Sequence, residues 1–517
     1  MIRSLVVLCL VCSALFFVNL QSRDFWAPDE GDFAQITREL DLDFIVPHLN
    51  GAPYGEKPPL FYYITYASQK LLGSIRGEIS LRVPSGLFAL IGAALLLGTI
   101  VKFVSPIQAL ISAGILVTSP LYYWQARYLQ VDMVFSVFVA ATLLFFFRFY
   151  ATRKQPMLYL FFLCLALAFL TKGPLAIALV LPVVLVFLFS EKALGIVKIK
   201  DICIGILIFI VVAAPWYAAI YWREGAPYLY ENIVRQNLTR FLDAWSHKRP
   251  FYYYFTTLPL DFFPWSLFLP LGIGLAFRRA KTDPKIRYFL IWFAWMFLFL
   301  SLSSGKISKY MLPALPAAAF IASLAFMVHE SRYNRTMLLI LSLVFFALAG
   351  LLFVYRPGLY PEFYPARIII GILSIILATV LVFSLRKNRS DWAFSALFCF
   401  LVLCYLVGNV GVYSKWNRYK SPRPVSEKVA SFVKDGTPWV YYGSIRGVYV
   451  YYAQKQAIHV DEHDTAGLEK IRQELKEFFI LTRRRDADEV FRTLDNVKPV
   501  FEEKIGNTQM IFLHYEK

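Results

Sequence analysis

The stretch IIIGILSIILATVLVFSL at residues 368–385 decides the fold class, because it contains no charged side chain. At ~1.5 Å per residue a helix of this length approaches the ~30 Å thickness of the hydrocarbon core of a bilayer. Apolar runs of similar length recur along most of the 517 residues, of which 58% are hydrophobic and 17% are aromatic. A soluble core does not require such runs, so the sequence predicts a polytopic α-helical membrane protein.

Thirteen membrane-spanning segments are predicted. They lie near residues 3–20, 80–102, 106–122, 131–150, 156–171, 174–190, 201–221, 257–277, 286–303, 310–328, 336–354, 367–385 and 391–413. Much of the formal net charge of +18 lies in short connectors between them, at 148–154, 192–200, 278–287 and 386–389. If the N-terminus is cytoplasmic, all these connectors fall on the cytoplasmic side, as basic loops generally do. The charge therefore indicates membrane orientation rather than nucleic-acid binding, and the loops 21–79 and 223–256 lie outside.

Residues 1–413 are predicted to form the membrane domain, and residues 414–517 a small soluble α/β domain on the outer side. Strand-like patterns occupy 438–442, 457–460, 478–482 and 508–515, and helix-like patterns occupy 465–476 and 486–494. All six cysteines lie inside apolar runs, so no disulfide framework is expected. The chain has no glycine-rich phosphate loop and no nucleophile elbow, so neither nucleotide hydrolysis nor serine-type acyl transfer is expected. No nucleotide or redox cofactor is expected either.

The first outer loop contains two charged motifs. Pro28-Asp29-Glu30-Gly31-Asp32 opens a segment in which Phe33, Ile36, Thr37 and Leu40 share one helical face. Residues 30–40 are therefore predicted to lie flat on the membrane, with the carboxylates at the N-terminal end. The alternative is purely structural: Asp29 is an N-cap, and Asp32 completes a capping box.

A second amphipathic helix follows in the same loop and repeats this design. Pro58-Pro59 begins it, and Leu60, Ile64, Ala67 and Leu71 form an apolar stripe. Glu56 and Lys57 stand at its head. Two charged pairs, each held at the interface by a surface helix, indicate a functional site.

Further polar residues fall on the predicted outer side. Asp132 lies at the entry to the fourth span, where it either reaches the interface or turns into a polar cavity. His247 lies in the large outer loop, and Lys306, Lys309 and Tyr310 lie beside the tenth span. Lysines on the outer side run against the positive-inside bias, which favours phosphate binding; anchoring of the aromatic residues at the interface is the alternative for the tyrosine.

These motifs carry a family resemblance. Pro28-Asp-Glu, the stretch from Ile45 to Leu60 that contains Glu-Lys-Pro-Pro, His247-x-x-Pro-Phe-Tyr-Tyr and Lys306-x-x-x-Tyr310-x-Leu-Pro occur in this order. In this the chain resembles the lipid A aminoarabinose transferases, within the protein mannosyltransferase group of C-type glycosyltransferases that use polyprenyl-phosphate sugars. The resemblance covers the membrane part of the chain.

The resemblance implies roles for eight residues. Asp29 would be the catalytic carboxylate near the acceptor, Lys57 would contact the donor phosphate, and Glu56 and His247 would bind a divalent metal ion, with zinc favoured. The remaining four match further substrate-binding positions of the cavity: Asp132, Lys306, Lys309 and Tyr310. An inverting transfer from a lipid phosphate needs an oriented acceptor, a base if that acceptor is a hydroxyl, and cations at the leaving phosphate.

The expected function is transfer of 4-amino-4-deoxy-L-arabinose from a polyprenyl phosphate to lipid A phosphate, at the outer face of the bacterial cytoplasmic membrane. Transfer of a hexose such as mannose to protein or another envelope glycan is a second possibility. A flippase for lipid-linked sugars is a third. Transporters place ionisable residues near the bilayer midplane, whereas the charges here gather at one predicted surface, which favours an enzyme.

Overall fold

The structure is a computed structural model that describes residues 2–73, 77–328, 331–354, 360–433 and 436–517. Its helices are α1 (Ile2–Phe17), α2 (Asp29–Glu39), α3 (Leu60–Leu72), α4 (Gly77–Ile100), α5 (Pro106–Thr118), α6 (Pro120–Ala126), α7 (Val131–Thr152), α8 (Gln155–Lys172), α9 (Leu175–Ser190), α10 (Ile199–Leu229), α11 (Arg240–Leu242), α12 (Tyr253–Asp261), α13 (Leu269–Arg279), α14 (Pro284–Leu302), α15 (Leu315–Phe326), α16 (Arg332–Val354), α17 (Tyr364–Lys387), α18 (Ser390–Gly411), α19 (Tyr413–Lys420), α20 (Arg423–Phe432), α21 (Gly447–Ala453), α22 (Thr465–Glu474) and α23 (Ala487–Thr493). The strands are β1 (His48–Leu49), β2 (Ala52–Pro53), β3 (Trp439–Tyr442), β4 (Ile458–Val460), β5 (Glu477–Arg483), β6 (Val497–Ile505) and β7 (Thr508–Glu516).

The prediction of a polytopic helical membrane protein is confirmed. Within the described residues, ten helices are long and apolar enough to cross a membrane, and α5 and α9 are shorter apolar helices. The predicted span at 257–277 is divided into α12 and α13. Prolines explain the division: Pro259 lies inside α12, Pro264 in the break and Pro270 in the first turn of α13, and proline lacks the N–H that a continuous helix needs. The count of thirteen spans stays a prediction.

Two compact units are distinguished by their internal contacts. The membrane unit comprises Met1–Leu20, Gly55–Ile64 and Arg82–Gly411, and the sheet unit comprises Gln21–Tyr54, Thr65–Leu81 and Val412–Lys517. The sheet unit thus resumes close to the predicted boundary at residue 414. It also contains most of the first outer loop, whereas the sequence pattern places residues 21–79 with the membrane domain.

The membrane unit is organised around α15. All of its residues from Leu315 to Phe326 are buried, which explains why the helix is apolar on every side. It packs against α5, α13 and α14, while α7 packs along α8, and α16 along α17. The alanines of α15, among them Ala317, Ala318 and Ala319, leave room for this close packing.

The sheet unit contains a five-stranded mixed sheet with the strand order β4-β3-β5-β7-β6. β3 runs parallel to β4 and β5, and β7 runs antiparallel to β5 and β6. Its core contains Val440, Ile480 and Leu513, each fully buried. The α/β prediction is confirmed, although the pattern misses β6. No residue of this edge strand is fully buried, and the strand has a register shift beside Pro499, so it shows no clear hydrophobic signal.

The two predicted helices of the first outer loop both form, but their apolar faces differ. In α2, Ile36 is 0% and Leu40 is 2% exposed, so protein covers the face for which the pattern predicts lipid contact. The predicted contact of this face with lipid is therefore wrong, and the position of α2 at the membrane interface stays a prediction. In α3, Ala67 is exposed and Leu71 is 84% exposed, so a membrane contact stays a prediction for that helix.

Candidate active site

A cavity of about 90 Å³ with charged, amide and apolar side chains in its lining lies in the membrane unit. Its lining consists of Glu56, Lys57, Lys172, Leu175, Gln236, Asn237, Arg240, Phe241, Phe299, Leu300, Ser303, Gly305 and Tyr310. Three of these side chains are cationic, and Glu56 is the one carboxylate among the described lining residues. The excess of positive charge suits a phosphate group, which lysine and arginine bind through charge-assisted hydrogen bonds.

The Glu56-Lys57 motif enters this cavity from a fixed backbone. The Asn232 side chain donates a hydrogen bond of 2.9 Å to the Gly55 carbonyl, and a Cβ on Gly55 would lie 3.3 Å from the Glu231 side chain. On the other side of the motif, Pro58 and Pro59 are buried where α3 begins. The backbone is therefore fixed on both sides of the Glu56-Lys57 motif, which limits the positions that the Lys57 side chain can take.

The surroundings of Lys57 disfavour its positive charge. Its side chain is partly exposed, and its ammonium group donates to the Glu56 carbonyl at 3.0 Å. Its pKa is lowered from 10.5 to about 8, chiefly because burial disfavours the charged form. Glu56 opposes this effect, while Arg240 and Lys172 add to it by repulsion. An incoming phosphate would relieve that repulsion.

Lys172 and Asp132 form a buried ion pair beside the cavity. The Lys172 ammonium lies 2.6 Å from one Asp132 oxygen, and the Lys309 ammonium lies 3.8 Å from the other. Asp132 lies in the first turn of α7 and Lys172 in the last turn of α8, where the helix dipoles favour their charges. Lys172 also lies 4.8 Å from the centre of the Tyr310 ring. One carboxylate thus orients two lysines.

Lys306 and His247 lie on two paired loop segments. The Lys306 N–H donates to the His247 carbonyl at 3.0 Å, and Lys248 pairs with Gly305 in an antiparallel bridge. The Lys306 side chain is buried, and its ammonium donates to the Arg249 carbonyl at 2.9 Å and to that of Ser303. Among the described residues, the cavity lining includes Gly305 but neither Lys306 nor His247. The structure thus gives Lys306 a structural task, and its phosphate role stays a prediction.

Asp29 is the first residue of α2 and belongs to the sheet unit. The N-cap position is Pro28, and the Asp32 carboxylate accepts a hydrogen bond of 2.6 Å from the Gly447 N–H. The capping-box alternative for Asp29 and Asp32 is therefore wrong. The catalytic role of Asp29 stays a prediction.

The described residues do not form a metal site by themselves. Among them, no group of three or more histidine, cysteine, aspartate or glutamate side chains could hold an ion. Glu56 lines a cavity that also contains Lys57, Lys172 and Arg240, whose charges oppose a cation. Binding by Glu56 and His247 would need ligands from water or phosphate, so it stays a prediction, and no chemical step is assigned to a metal.

Two cationic and two amide side chains of the cavity lining are absent from the predicted set: Lys172, Arg240, Gln236 and Asn237. Gln236 and Asn237 lie on a π-helix, Tyr230–Thr239, a rare geometry that often occurs at functional sites. Gln236 donates to Glu231 at 2.8 Å and accepts from Arg240 at 3.0 Å, which holds the guanidinium in place. The sequence feature that could have indicated Lys172 and Arg240 is their positive charge on the predicted outer side of the membrane.

Comparison with known proteins identifies relatives of this chain. The family model described as "Dolichyl-phosphate-mannose-protein mannosyltransferase" matches residues 1–227. An undecaprenyl phosphate-alpha-4-amino-4-deoxy-L-arabinose arabinosyl transferase from Pectobacterium atrosepticum is 32% identical over 430 residues, which cover 78% of this chain and 75% of the relative. The protein of the same name from Serratia proteamaculans is 28% identical over 431 residues, with 78% and 75% coverage.

Two solved structures share the fold. ArnT from Cupriavidus metallidurans, crystallised with undecaprenyl phosphate, has a TM-score of 0.79 at 18% identity, covering 98% of this chain and 97% of the other. The apo oligosaccharyltransferase of Archaeoglobus fulgidus has a TM-score of 0.54 at 12% identity, covering 93% and 69%.

The fold and the cationic cavity, together with these relatives, define an integral-membrane glycosyltransferase that uses a polyprenyl-phosphate sugar. Such an enzyme needs cations where the lipid phosphate leaves, and three cationic side chains line the cavity. The chain belongs to the family of undecaprenyl phosphate-alpha-4-amino-4-deoxy-L-arabinose arabinosyl transferases.

Proposed function

We propose that this protein transfers 4-amino-4-deoxy-L-arabinose from undecaprenyl phosphate to a phosphate group of lipid A. The names of its relatives support the sugar and its carrier. The observation that carries the proposal is the grouping of Lys57, Lys172 and Arg240 around one cavity. These cations match the phosphate of the donor, whose negative charge would offset the repulsion that Arg240 and Lys172 exert on Lys57.

The proposed reaction is a single displacement at the anomeric carbon of the sugar. An acceptor oxygen forms a bond to that carbon while the bond to the donor phosphate oxygen breaks, and the electron pair leaves with undecaprenyl phosphate. The configuration at the carbon is inverted. Lys57, Lys172 and Arg240 stabilise the charge that develops on the leaving phosphate. Asp29 orients the acceptor, and it removes a proton only if the acceptor is a hydroxyl.

A second candidate is transfer of a hexose such as mannose to protein. The match of residues 1–227 to the mannosyltransferase family model favours it. Both reactions use the same cations at the leaving phosphate, and they differ in the sugar and in the acceptor. A flippase would release its lipid-linked sugar unchanged, so product analysis also separates that class.

A transfer assay tests the proposal directly. Purified protein is incubated with undecaprenyl phosphate-linked 4-amino-4-deoxy-L-arabinose and lipid A, and the lipid is analysed by mass spectrometry. We expect lipid A to gain one pentosamine, and the Lys57→Met variant to give little product. Sugar transfer to a peptide with unmodified lipid A would support the second candidate. An unchanged donor with every acceptor would contradict both.

We further propose that the cavity and residues 414–517 face the outer side of the bacterial inner membrane. The basic connectors support this orientation, because all of them fall on the opposite side when thirteen spans are counted. A reporter that is active only in the cytoplasm, fused after Lys517, should stay silent. A strong signal from that fusion would contradict both the span count and the orientation.

A further inference from the structure

The start of α2, directly after Asp29, is held by the segment at residues 446–457 of the same unit. A Cβ added to Gly31 would overlap the Cβ and the backbone of Val448, so the two segments touch at a place that only glycine allows. One residue later, the Asp32 carboxylate accepts the Gly447 N–H at 2.6 Å. The two residues that follow Glu30 are therefore both fixed by the start of α21.

The far end of α2 is fixed by the same segment. The Arg38 guanidinium donates to the carbonyls of Tyr451 at 2.9 Å and Val450 at 3.3 Å. In the connection that follows α2, Asn50 and Ala457 exchange hydrogen bonds of 2.8 and 3.0 Å. Contacts at both ends determine the position of the helix as well as its direction.

A buried ion pair fixes the residue next to Asp29. Glu30 is fully buried, and its two oxygens accept from the Arg23 guanidinium at 2.5 and 2.9 Å. The same guanidinium lies 4.7 Å from the centre of the Trp26 ring. Burying two charges costs much of what their attraction gains, but the two hydrogen bonds of this pair tie Glu30 to Arg23 in one geometry.

The sheet does not need α2 for its own core. The hydrophobic cluster between the strands, α22 and α23 contains Val440, Ile480 and Val490, and none of its described members comes from α2. The contacts with α2 instead start from α21 and its flanking loops. The bonds at residues 446–457 are thus additional to the packing that holds the sheet together.

We propose that the segment 446–457 is a positioning element that holds Asp29 for sugar transfer, with Asp32 acting through its bond to Gly447. This inference rests on the proposed catalytic role of Asp29. On this proposal the C-terminal part of the chain contributes to the reaction, because the segment 446–457 positions the Asp29 carboxylate of the first outer loop. Asp32 is a positioning residue, because its carboxylate is engaged by the protein backbone.

The test compares Asp32→Ala with Asp32→Asn in the full-length purified protein. Asparagine retains a carbonyl oxygen that can accept the Gly447 N–H, so Asp32→Asn should keep kcat within about threefold of wild type. Alanine loses the bond and lets α2 shift, so kcat should fall by about ten- to a hundredfold, since a displacement of ~1 Å can cost about a hundredfold. The donor KM should not change in either variant. Equal losses in both variants, or a loss confined to KM, would overturn the proposal.

A double variant shows whether Asp32 acts through Asp29. In an Asp29→Asn background, Asp32→Ala should cause no further loss of kcat, because the carboxylate that it positions is already gone. Independent, additive losses would contradict the proposal. A wild-type rate for Asp29→Asn would refute the catalytic role and the positioning role together. A slow Asp29→Asn with an unaffected Asp32→Ala would refute positioning alone.

Two further variants separate positioning from general stability. Val490→Ala removes volume from the core of the sheet, away from α2, and should lower the unfolding temperature while each folded molecule keeps the wild-type kcat. Arg38→Met removes the hydrogen bonds at the far end of α2 and should lower kcat by about ten- to a hundredfold, as expected for Asp32→Ala. It therefore tests the proposal independently if Asp32→Ala does not fold. If Val490→Ala reduces kcat as much as Arg38→Met at equal folded fraction, the segment acts only through stability and the proposal fails.

Discussion

The depressed pKa of Lys57 makes donor binding sensitive to pH. Its ammonium must be charged to bind a phosphate as a point charge, and burial lowers its pKa to about 8 in the unliganded cavity. Donor affinity should therefore be high below pH 8 and fall above it. The direction follows from the sign of the shift, because a lysine with a lowered pKa loses its charge at a lower pH than a free lysine.

The size of the effect follows from the same value. With a pKa of about 8, roughly nine-tenths of Lys57 is charged at pH 7 and roughly one-tenth at pH 9. If only the charged form binds the donor, Kd should rise about tenfold between these pH values. Replacing Lys57 with methionine should weaken binding at pH 7 by about ten- to a hundredfold, since a hydrogen bond to a charged group contributes ~1.5–3 kcal/mol.

The assay is equilibrium binding of undecaprenyl phosphate to detergent-solubilised protein from pH 7 to pH 9. Lys57→Arg is the matched control, because a guanidinium keeps its charge throughout this range. Titration of the ligand affects both proteins equally, so it cancels in the ratio of wild-type affinity to Lys57→Arg affinity. This ratio should fall about tenfold from pH 7 to pH 9. The same pH dependence in both proteins, or wild-type affinity in Lys57→Met, would refute the reasoning.

Three further predictions concern the other site residues. Asp29→Asn should leave folding and donor binding nearly intact while lowering turnover, by roughly a hundred- to ten-thousandfold for a hydroxyl acceptor and by less for an ionised phosphate; an unchanged transfer rate would return Asp29 to a structural role. Lys306→Met should mainly lower the unfolding temperature, because the Lys306 ammonium donates to two backbone carbonyls. Lys309→Met should mainly weaken donor binding, because the Lys309 ammonium lies beside Asp132. Weaker donor binding by Lys306→Met together with a lower unfolding temperature for Lys309→Met alone would contradict these assignments. An open metal site requires one zinc per wild-type protein and none in Glu56→Gln or His247→Ala, and elemental analysis showing metal-free, active wild-type protein would exclude it.

Much of the fold could be predicted because lipid imposes a simple pattern. Helices such as α7, α8 and α17 appear as long apolar runs, since every backbone polar group inside a bilayer must be bonded within the segment. Pattern alone does not show where α12 ends, because prolines occur both inside helices and at their breaks. The close contact between Gly31 of α2 and Val448 of α21 joins residues more than four hundred positions apart, and no local pattern reports such a partner.

Part of the candidate site could also be predicted from the sequence. Glu56 and Lys57 could be found because they form one compact motif in a loop. Lys172 and Arg240 join Lys57 only through folding, since they come from the end of α8 and from the segment that follows the π-helix. For Lys306, the sequence and the structure indicate different roles. Its sequence context matches a phosphate-binding lysine, yet its ammonium is occupied by backbone carbonyls that only the structure reveals.

Mass spectrometry of lipid A from cells with and without this chain tests the central claim most directly. The account predicts that lipid A phosphate carries one additional pentosamine when the wild-type chain is present, and that the Lys57→Met chain at equal membrane abundance gives far less of this product. Identical lipid A spectra from the two kinds of cells, with the donor lipid present in both, would contradict the proposed function.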